Sequence, residues 1–163
     1  MTISIRAARS DDAAFLAAGN LAMALEAEHK RLDPATVARG VRAVLDDPAH
    51  GRYFVAEHDD RPVGQLMITY EWSDWRNGRF WWIQSVYVLP DARRSGVFRA
   101  LFRHLEELAK ADPGVCGIRL YVERENVRAQ ATYRHCGLED AGYLVMEVDY
   151  SGAVLAAKGS DHA

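Results

Sequence analysis

One stretch of the sequence, residues 80–108, constrains the fold more than any other. A nearly continuous apolar run ends at a proline and is followed by arginines, a glycine and an amphipathic segment. A run of this kind is typical of a central strand that is covered on both faces, and Pro90 cannot donate to the ladder that it ends. Apolar residues after Gly96 recur at helical spacing. The stretch therefore predicts a buried strand, a loop and an amphipathic helix.

The loop between this strand and this helix has the features of an anion site. Gly96 can adopt backbone conformations that most residues cannot, and the first amides of a helix are unpaired and lie at the positive end of its dipole. Arg93, Arg94, Arg99 and Arg103 gather at the same end. Amides and forked cationic donors together suit a pyrophosphate. The alternative is a solvated helix start with ordinary surface arginines, because one glycine after a strand is a weak signal.

The remaining pattern predicts a mixed α/β fold. A strand at residues 2–9 precedes a helix that Ser10 or Asp11 can cap and that runs to about Lys30, and a second helix has Asp33 as its cap and Pro34 at its first position. Three strands between residues 51 and 89 form an antiparallel meander. After the helix at 95–111 come a strand, a short helix that ends at Gly137, and a strand at 141–150. The order β-α-α-β-β-β-α-β-α-β indicates a mixed, mostly antiparallel sheet with helices on both faces.

Length and composition predict one soluble unit. The 163 residues suffice for a single domain, which we place at residues 1–150, with a flexible tail at 151–163. A net charge of -3 gives no general attraction to nucleic acid or to an anionic membrane, and no apolar run is long enough to span one. Cys116 and Cys136 are expected to be reduced thiols, and we expect a cytoplasmic protein.

A resemblance to a known family begins in the loop. Residues 86–102, VYVLPDARRSGVFRALF, resemble the acyl-CoA signature of the GNAT superfamily of N-acetyltransferases, a Q/R-x-x-G-x-G/A loop between a strand and a helix. Arg93 matches the first position of that loop and Gly96 matches its central glycine. Phe98 departs from the final small residue, and Arg94 occupies a position that is often glycine. These two departures could alter how the loop binds a pyrophosphate.

The resemblance continues towards the C-terminus. Residues 123–138, ERENVRAQATYRHCGL, are similar to a later motif of the family in which Asn126, Tyr133 and Gly137 fill the expected places. Together with the element order, the resemblance covers roughly residues 3–150. The segments YEWSDWRNGRFWWIQSVYV and LAMALE are also similar to the diamine (spermidine/spermine) and thialysine acetyltransferase branch of the superfamily.

The resemblance implies a GNAT-like fold and acetyl-CoA as co-substrate, held in a V-shaped split between the strand at Val86 to Val88 and the later parallel strand. Backbone N–H groups of that strand end would polarise the thioester carbonyl. The side-chain amide of Asn126 would bond the pantetheine arm, although the same residue is also an ordinary helix cap. The expected cofactor-binding residues are Val86, Tyr87, Val88, Arg93, Arg94, Ser95, Gly96, Val97, Phe98, Arg99 and Asn126.

Two residues are the candidates for proton transfer. Tyr133 is the expected general acid, because a phenol can donate a proton to a departing thiolate. The branch resemblance places Gln84 where a glutamate base is expected, and glutamine cannot accept a proton at neutral pH. Either a water oriented by Gln84 carries the proton to Glu71, Asp74, Glu123 or another group, or the amine arrives already neutral. The alternative for Tyr133 is a tyrosine that only packs its helix.

Acidic and aromatic residues near the hairpin predict an acceptor that carries an ammonium group. Glu71, Trp72 and Asp74, with Glu26 from the first helix, could attract a cation through charge and cation–π contacts. The alternative is a hairpin with solvated charges, whose tryptophans pack in the core or at a dimer contact. A homodimer is expected on the resemblance. The six histidines show no ligand spacing, so no metal is expected.

The predicted activity is direct transfer of acetyl from acetyl-CoA to a primary amine of a small, polyamine-like or lysine-like molecule. Two alternatives remain open. One is an acyl-CoA-binding sensor with little turnover, suggested by Gln84 and Phe98. The other is an acetyltransferase that acts on a protein or peptide amine.

Overall fold

A computed structural model describes residues 2–152 and 154–156. Its main sheet has five strands in the order β1-β3-β4-β5-β6, antiparallel throughout except for the parallel pair β5 and β6. These strands are β1 (Ile3–Ala7), β3 (Arg52–His58), β4 (Arg61–Ser73), β5 (Gly78–Val88) and β6 (Val115–Leu120). The helices are α1 (Ala13–Glu28), α2 (Pro34–Asp46), α3 (Val97–Ala111) and α4 (Val127–His135). A separate antiparallel pair joins β2 (Lys30–Leu32) to β7 (Val154–Ala156). The predicted mixed α/β fold is confirmed.

The sheet buries apolar side chains on both faces, because alternate residues of a strand point in opposite directions. On one face, α3 covers a cluster that includes Leu66, Ile68 and Trp81. On the other face, α1 and α2 cover a smaller cluster of Leu16, Val41, Tyr53 and Val55. The central strands are therefore covered on both sides, as their apolar sequences predict.

Local signals explain where the helices begin and how closely they pack. Asp33 accepts a hydrogen bond from the backbone N–H of Thr36 at 3.0 Å, and Pro34 opens α2, as predicted. In α1, Gly19 lies directly over the fully buried Gln65, where any added Cβ would meet that side-chain amide. Glycine at this position allows α1 to approach the sheet.

A charged network joins the first strand to the start of α1. The guanidinium of Arg6 donates to both carboxylate oxygens of Asp12, at 2.8 and 2.9 Å, and to Glu57 at 2.7 Å. Asp12 also accepts from the backbone N–H of Arg9. The hydrogen bonds from Arg6 hold the pKa of Asp12 below its ordinary value. The network therefore stabilises the fold at neutral pH.

We expect Asp12→Asn to lower the free energy of unfolding by about 1 to 3 kcal/mol, because a charged bidentate bond in a largely buried place is lost. Since the pKa of Asp12 is lowered in the folded chain, its contribution is present above the ordinary carboxyl pKa and disappears as pH falls through the folded value. Urea unfolding at pH 7 and at pH 3 measures both effects. Asp11→Asn is the control, and an equal loss from both variants would contradict this role.

The structure corrects the C-terminal part of the predicted order. Residues 141–150, predicted as the last strand, form no strand, and all of them are exposed. Their apolar pattern gives them a tendency to form a strand, but no sheet edge in the described chain pairs with them. The sequence also did not predict the short strand β2. It pairs with β7, which lies inside the predicted flexible tail, and Ala153 and residues 157–163 of that tail lie outside the described residues.

No helix within the described part of the chain is both long enough and apolar enough to cross a membrane.

Candidate active site

Strands β5 and β6 are paired for only part of their length. Their parallel pairing ends at Ile83 and Leu120, where β6 stops, whereas β5 continues to Val88. The backbone N–H of Leu89 donates to Val63, so in the alternating antiparallel ladder the backbone groups of Val86 and Val88 point away from β4. These groups face the opening beside β5, at the place where the family resemblance implies a V-shaped split.

A bulge shapes β5 just before this opening. Ser85 pairs with Met67 and Ile83 pairs with Ile68, so Gln84 is an extra residue without a partner on β4. Its side chain is exposed, and its Nε2 donates to Thr69 Oγ1 at 2.8 Å. The bulge turns the Gln84 amide onto the sheet face that also carries Thr69. The position predicted for the base is therefore open to solvent and is occupied by a neutral amide.

The loop after β5 has unpaired backbone amides near the opening beside Val86 and Val88. Arg94 and Gly96 both have positive φ, of 65° and 85°, and Gly96 is the residue before α3. Ala100 makes the first backbone hydrogen bond of the helix, to Gly96. Within the described residues, the amides at positions 94–99 have no acceptor. Such a cradle, at the positive end of a helix, fits a diphosphate.

We expect Gly96→Val to weaken acetyl-CoA binding by about 1 to 3 kcal/mol, as judged from one or two lost hydrogen bonds. A Cβ at Gly96 would meet no protein atom within 4 Å, so the loss would come from backbone strain and from the space that the phosphates need. Calorimetry with acetyl-CoA measures it. Gly152→Val is the matched control, since Gly152 also has positive φ and open surroundings. Unchanged affinity in the Gly96 variant would place the phosphates elsewhere.

Arg93 is held by the protein itself. Its Nε donates to the Val88 carbonyl at 3.0 Å and its Nη2 donates to Glu26 at 2.7 Å, while its guanidinium lies over the Tyr87 ring. The Tyr87 hydroxyl donates to the same carboxylate at 2.9 Å. These hydrogen bonds, the one from Arg93 first, lower the pKa of Glu26. Glu26, predicted to bind substrate, thus ties the end of α1 to the loop, and Arg93 fixes that loop to β5.

The other residues predicted to bind the cofactor differ in how far their side chains are exposed. The Val97 side chain is buried in the core, so only its backbone can face a ligand. The Ser95 hydroxyl donates to the carbonyl of Ala92. Arg94 and Arg99 are exposed beside the loop. These two arginines are the side chains best placed to add charge to the amide cradle.

Helix α4 brings Tyr133 against the start of α3. The Tyr133 ring lies edge-on to Phe98, with 5.5 Å between ring centroids, and Phe98 in turn contacts Phe102. Burial first, and then the neighbouring Cys136, raise the pKa of Tyr133. Phe98, the residue that departs from the family loop, therefore packs Tyr133 in place. The phenol stays protonated at neutral pH, as an acid must.

Asn126 caps α4, as predicted. Its Oδ1 accepts from the backbone N–H of Ala129 at 3.1 Å. The cap leaves the side-chain NH2 group of Asn126 to donate elsewhere. The role of Asn126 towards a pantetheine arm stays a prediction.

One face of the sheet is left open beyond α1 and α2. We call it the open face, and it comprises Thr69, Glu71, Trp82, Arg119 and Tyr121, with the buried Phe80 ring beneath Arg119. Arg119 lies 3.8 Å from the centre of the Phe80 ring and donates to Glu71 at 2.9 Å. The Trp82 and Tyr121 rings are in contact, with 4.4 Å between centroids. This face combines aromatic rings with a carboxylate that is already paired with the Arg119 guanidinium. The role of Glu71 in binding a cationic acceptor stays a prediction.

The predicted acceptor residues do not all lie on this face. Glu71 pairs with Phe80, so it stands on the order of 10 Å along the strands from Gln84. Trp72 is exposed near the hairpin tip, and Asp74 accepts the backbone N–H of Trp75 in the turn itself. Trp72 and Asp74 are therefore further from the split than Glu71 is. Their role in binding the acceptor stays a prediction.

A cavity of about 360 Å³ lies under α1 and α2 next to the bulge. Its lining includes Tyr53, Met67 and Ser85 from the sheet and Glu28 from α1. The Ser85 hydroxyl is buried and has no hydrogen-bond partner among the described residues. Lys30 also lines the cavity, and its Nζ lies 3.7 Å from the Glu28 carboxylate. The apolar part of the lining can accept an alkyl chain, but a cationic chain end would meet a carboxylate that is already paired.

Three polar side chains near the site were not singled out from the sequence. Thr69 fixes Gln84, Ser85 lines the cavity, and the buried Gln65 donates from Nε2 to Leu16 and to Asn20. The signal that could have identified Gln65 and Ser85 is a polar residue within an apolar run. Among the described residues, no group of three or more His, Cys, Asp or Glu side chains could hold a metal ion.

Comparisons with known proteins agree with this geometry. The model of the acetyltransferase (GNAT) family matches residues 22–138. A possible acetyltransferase from Clostridium difficile 630 is 44% identical, with a TM-score of 0.85, and the match covers 91% of this chain and 98% of that one. An aminoglycoside N-acetyltransferase, AAC(6')-Iy, solved in complex with CoA, is 16% identical over 91% of this chain and 95% of its own, with a TM-score of 0.71, and shows a shared fold.

A curated relative matches a smaller part of the chain. The thialysine N-epsilon-acetyltransferase of Caenorhabditis elegans is 30% identical over 109 residues, which are 66% of this chain and 66% of that protein. This chain thus covers slightly less than two thirds of the relative's length. The class that the fold and the family match define is an acetyltransferase. The chain belongs to the acetyltransferase (GNAT) family.

Proposed function

We propose that the protein transfers the acetyl group of acetyl-CoA to a primary amine of a small molecule by direct attack. The observation that carries the proposal is the position of the amide-rich loop directly beyond the backbone N–H groups of Val86 and Val88, which point away from β4. Phosphates held at positions 94–99 would leave the thioester end of the cofactor to lie along β5. The backbone N–H groups of β5 then polarise its carbonyl oxygen.

Two side chains complete the reaction in this proposal. Acetyl-CoA supplies the activated acetyl group, and Tyr133 protonates the sulfur that leaves. Gln84, fixed by Thr69, can orient a water or the incoming amine but cannot remove a proton. The amine therefore either loses its proton through water to an acidic group such as Glu71, or arrives neutral. No covalent enzyme intermediate is required.

The acceptor we propose is an alkyl amine of the polyamine or lysine type. The open face offers aromatic rings for an ammonium group, which would compete with Arg119 for the Glu71 carboxylate, and the cavity beside Ser85 offers room for an alkyl chain. The thialysine acetyltransferase relative is consistent with this class of acceptor. Product analysis by mass spectrometry, after incubation with diamines, lysine analogues, aminoglycosides and peptides, tests it. Acetylation of aminoglycosides or peptides alone would contradict the proposed class.

A second function, an acyl-CoA sensor with little turnover, is favoured by one observation. Gln84 lies at the position expected for a base and is neutral. The same mass spectrometry separates the two functions, since a sensor binds acetyl-CoA tightly but yields no acetylated product with any amine.

A further inference from the structure

The open face carries a guanidinium that the protein holds in a fixed place. The Arg119 guanidinium lies 3.8 Å from the centre of the Phe80 ring, and its side chain is only 23% exposed. Its Nη1 donates to Glu71 at 2.9 Å. The other nitrogens of this guanidinium make no hydrogen bond within the described part of the chain. Arg119 therefore keeps donors for an anion, and they are already oriented by the ring beneath them.

A second guanidinium makes the surroundings of Phe80 positive overall. The Arg76 guanidinium lies 5.0 Å from the centre of the same ring, and its Nη1 donates to the hydroxyl of Ser73. Among the described residues, no carboxylate other than Glu71 forms an ion pair with Arg76 or Arg119. Two guanidiniums thus stand against one carboxylate. An acceptor that is only cationic gains no anionic partner here and is repelled by the excess positive charge.

An acceptor that carries a carboxylate beside an ammonium group fits this cluster better. A carboxylate can accept from the free nitrogens of Arg119, and a guanidinium is suited to bind carboxylates through two parallel hydrogen bonds. An ammonium group next to that carboxylate can donate to Glu71, which is 47% exposed. Glu71 then need not leave Arg119 for the acceptor to bind. An α-amino acid has both charged groups on one carbon atom, and we call these two groups the head group.

The distance from this cluster to Gln84 agrees with one length of acceptor. Glu71 stands on the order of 10 Å along the strands from Gln84. Six bonds of about 1.5 Å, from a carboxylate carbon to a terminal amine, extend over roughly 7 to 8 Å, and one hydrogen bond adds about 3 Å. Trp82 follows Phe80 on the same face of β5, and its ring contacts Tyr121. These rings offer apolar surface to the carbon atoms between the two ends of the acceptor.

We propose that the acceptor is an α-amino acid whose side chain ends in a primary amine, and that Arg119 and Glu71 bind its head group. Arg119 binds the carboxylate, Glu71 binds the α-ammonium group, and the side-chain amine lies beside Gln84. Arg119 is then the residue that distinguishes amino acids from polyamines. This inference rests on the acetyl transfer proposed above and selects one type of acceptor within the class named there.

Steady-state kinetics of the full chain with acceptors of equal length tests the inference. L-lysine has the whole head group, 6-aminohexanoate has its carboxylate alone, and cadaverine has its amine alone. We expect kcat/KM for lysine to exceed that for cadaverine by about tenfold or more, as one charged hydrogen bond would give. Arg119→Gln should bring this ratio close to one. Glu71→Gln should lower the value for lysine towards that for 6-aminohexanoate.

Two further variants separate the charge of Arg119 from its effect on folding. Arg119→Lys keeps a positive charge and should keep part of the preference for lysine. Arg79→Gln is the matched control, because the Arg79 guanidinium also lies over a ring, that of Tyr70, but on the opposite face of the sheet. It should leave the ratio as it is. Melting temperatures show whether each variant is folded.

Equal kcat/KM for lysine and cadaverine in the unchanged protein would overturn the inference, and so would a preference for lysine that survives Arg119→Gln. Calorimetry with lysine and with cadaverine measures binding without turnover. If lysine binds, Arg119→Gln removes that binding and no amine is acetylated, the head-group site stands and the proposed function is wrong. If amines are acetylated but cadaverine is preferred, the proposed function stands and the head-group site is wrong. Neither binding of lysine nor acetylation of any amine would overturn both.

Discussion

Tyr133→Phe should lower kcat by tenfold or more while acetyl-CoA binding stays as it is. The substitution removes only the hydroxyl, and the ring keeps its contact with Phe98. Proton donation by a positioned side chain contributes about 10²–10⁴ to a rate, and a solvent water can replace part of it. Because burial raises the pKa of Tyr133, the group is a proton donor over the whole neutral range. Steady-state kinetics and calorimetry measure the two quantities.

A matched variant shows whether the effect belongs to this hydroxyl. Tyr70→Phe removes another partly buried phenol, one that packs against the main core, and should leave kcat unchanged. If Tyr133→Phe also leaves kcat unchanged, the tyrosine only packs its helix, which is the alternative that the sequence allows. A fall in both kcat and thermal stability would likewise indicate that Tyr133 serves mainly to pack its helix.

The second large effect is the dependence of the rate on pH. If the amine must arrive neutral, an acceptor with pKa near 10 is reactive at pH 7 in only about one part in a thousand, a loss of roughly 4 kcal/mol in apparent barrier. The rate at low amine concentration should then rise about tenfold per pH unit below the amine pKa. The raised pKa of Tyr133 keeps its proton in place during this rise. A plot of kcat/KM for the amine against pH measures the slope.

Gln84→Glu tests the cause of that slope. A carboxylate at this place can accept from Thr69 Oγ1 and can also take the proton of the amine. We expect a rate increase of about tenfold or more at pH 7, and a flatter profile, as for a positioned general base. Gln84→Ala should keep the steep profile. A flat profile in the unchanged protein would show that another group, such as Glu71 through water, already serves as the base.

The sequence predicted those parts of the fold that local chemistry decides. Asp33 and Pro34 specify the start of α2, and the apolar run before Pro90 specifies a central strand. The segment at 141–150 was predicted as a strand but forms none. A strand pattern indicates only a tendency to pair and contains no information about which strand is the partner. The strand β2 is too short to give a periodic signal.

In the candidate site too, features formed by neighbouring residues could be predicted, and features that depend on distant residues could not. The loop around Gly96 could be recognised because its glycine, its arginines and the following helix are adjacent in sequence. The bulge at Gln84 depends on the register between β4 and β5, which no short pattern encodes. The contact between Arg93 and Glu26 joins residues 67 positions apart. For this reason a cation predicted to bind phosphate is found bound to a carboxylate of the protein.

The measurement that tests the central claim most directly is the release of free CoA thiol from acetyl-CoA, followed with and without added amines between pH 7 and pH 10. We predict release that depends on a diamine or lysine analogue, rises with pH, and is reduced in the Tyr133→Phe and Gly96→Val variants. Tight binding of acetyl-CoA with no thiol release for any amine, at any pH, would contradict the acetyltransferase function and favour a sensor.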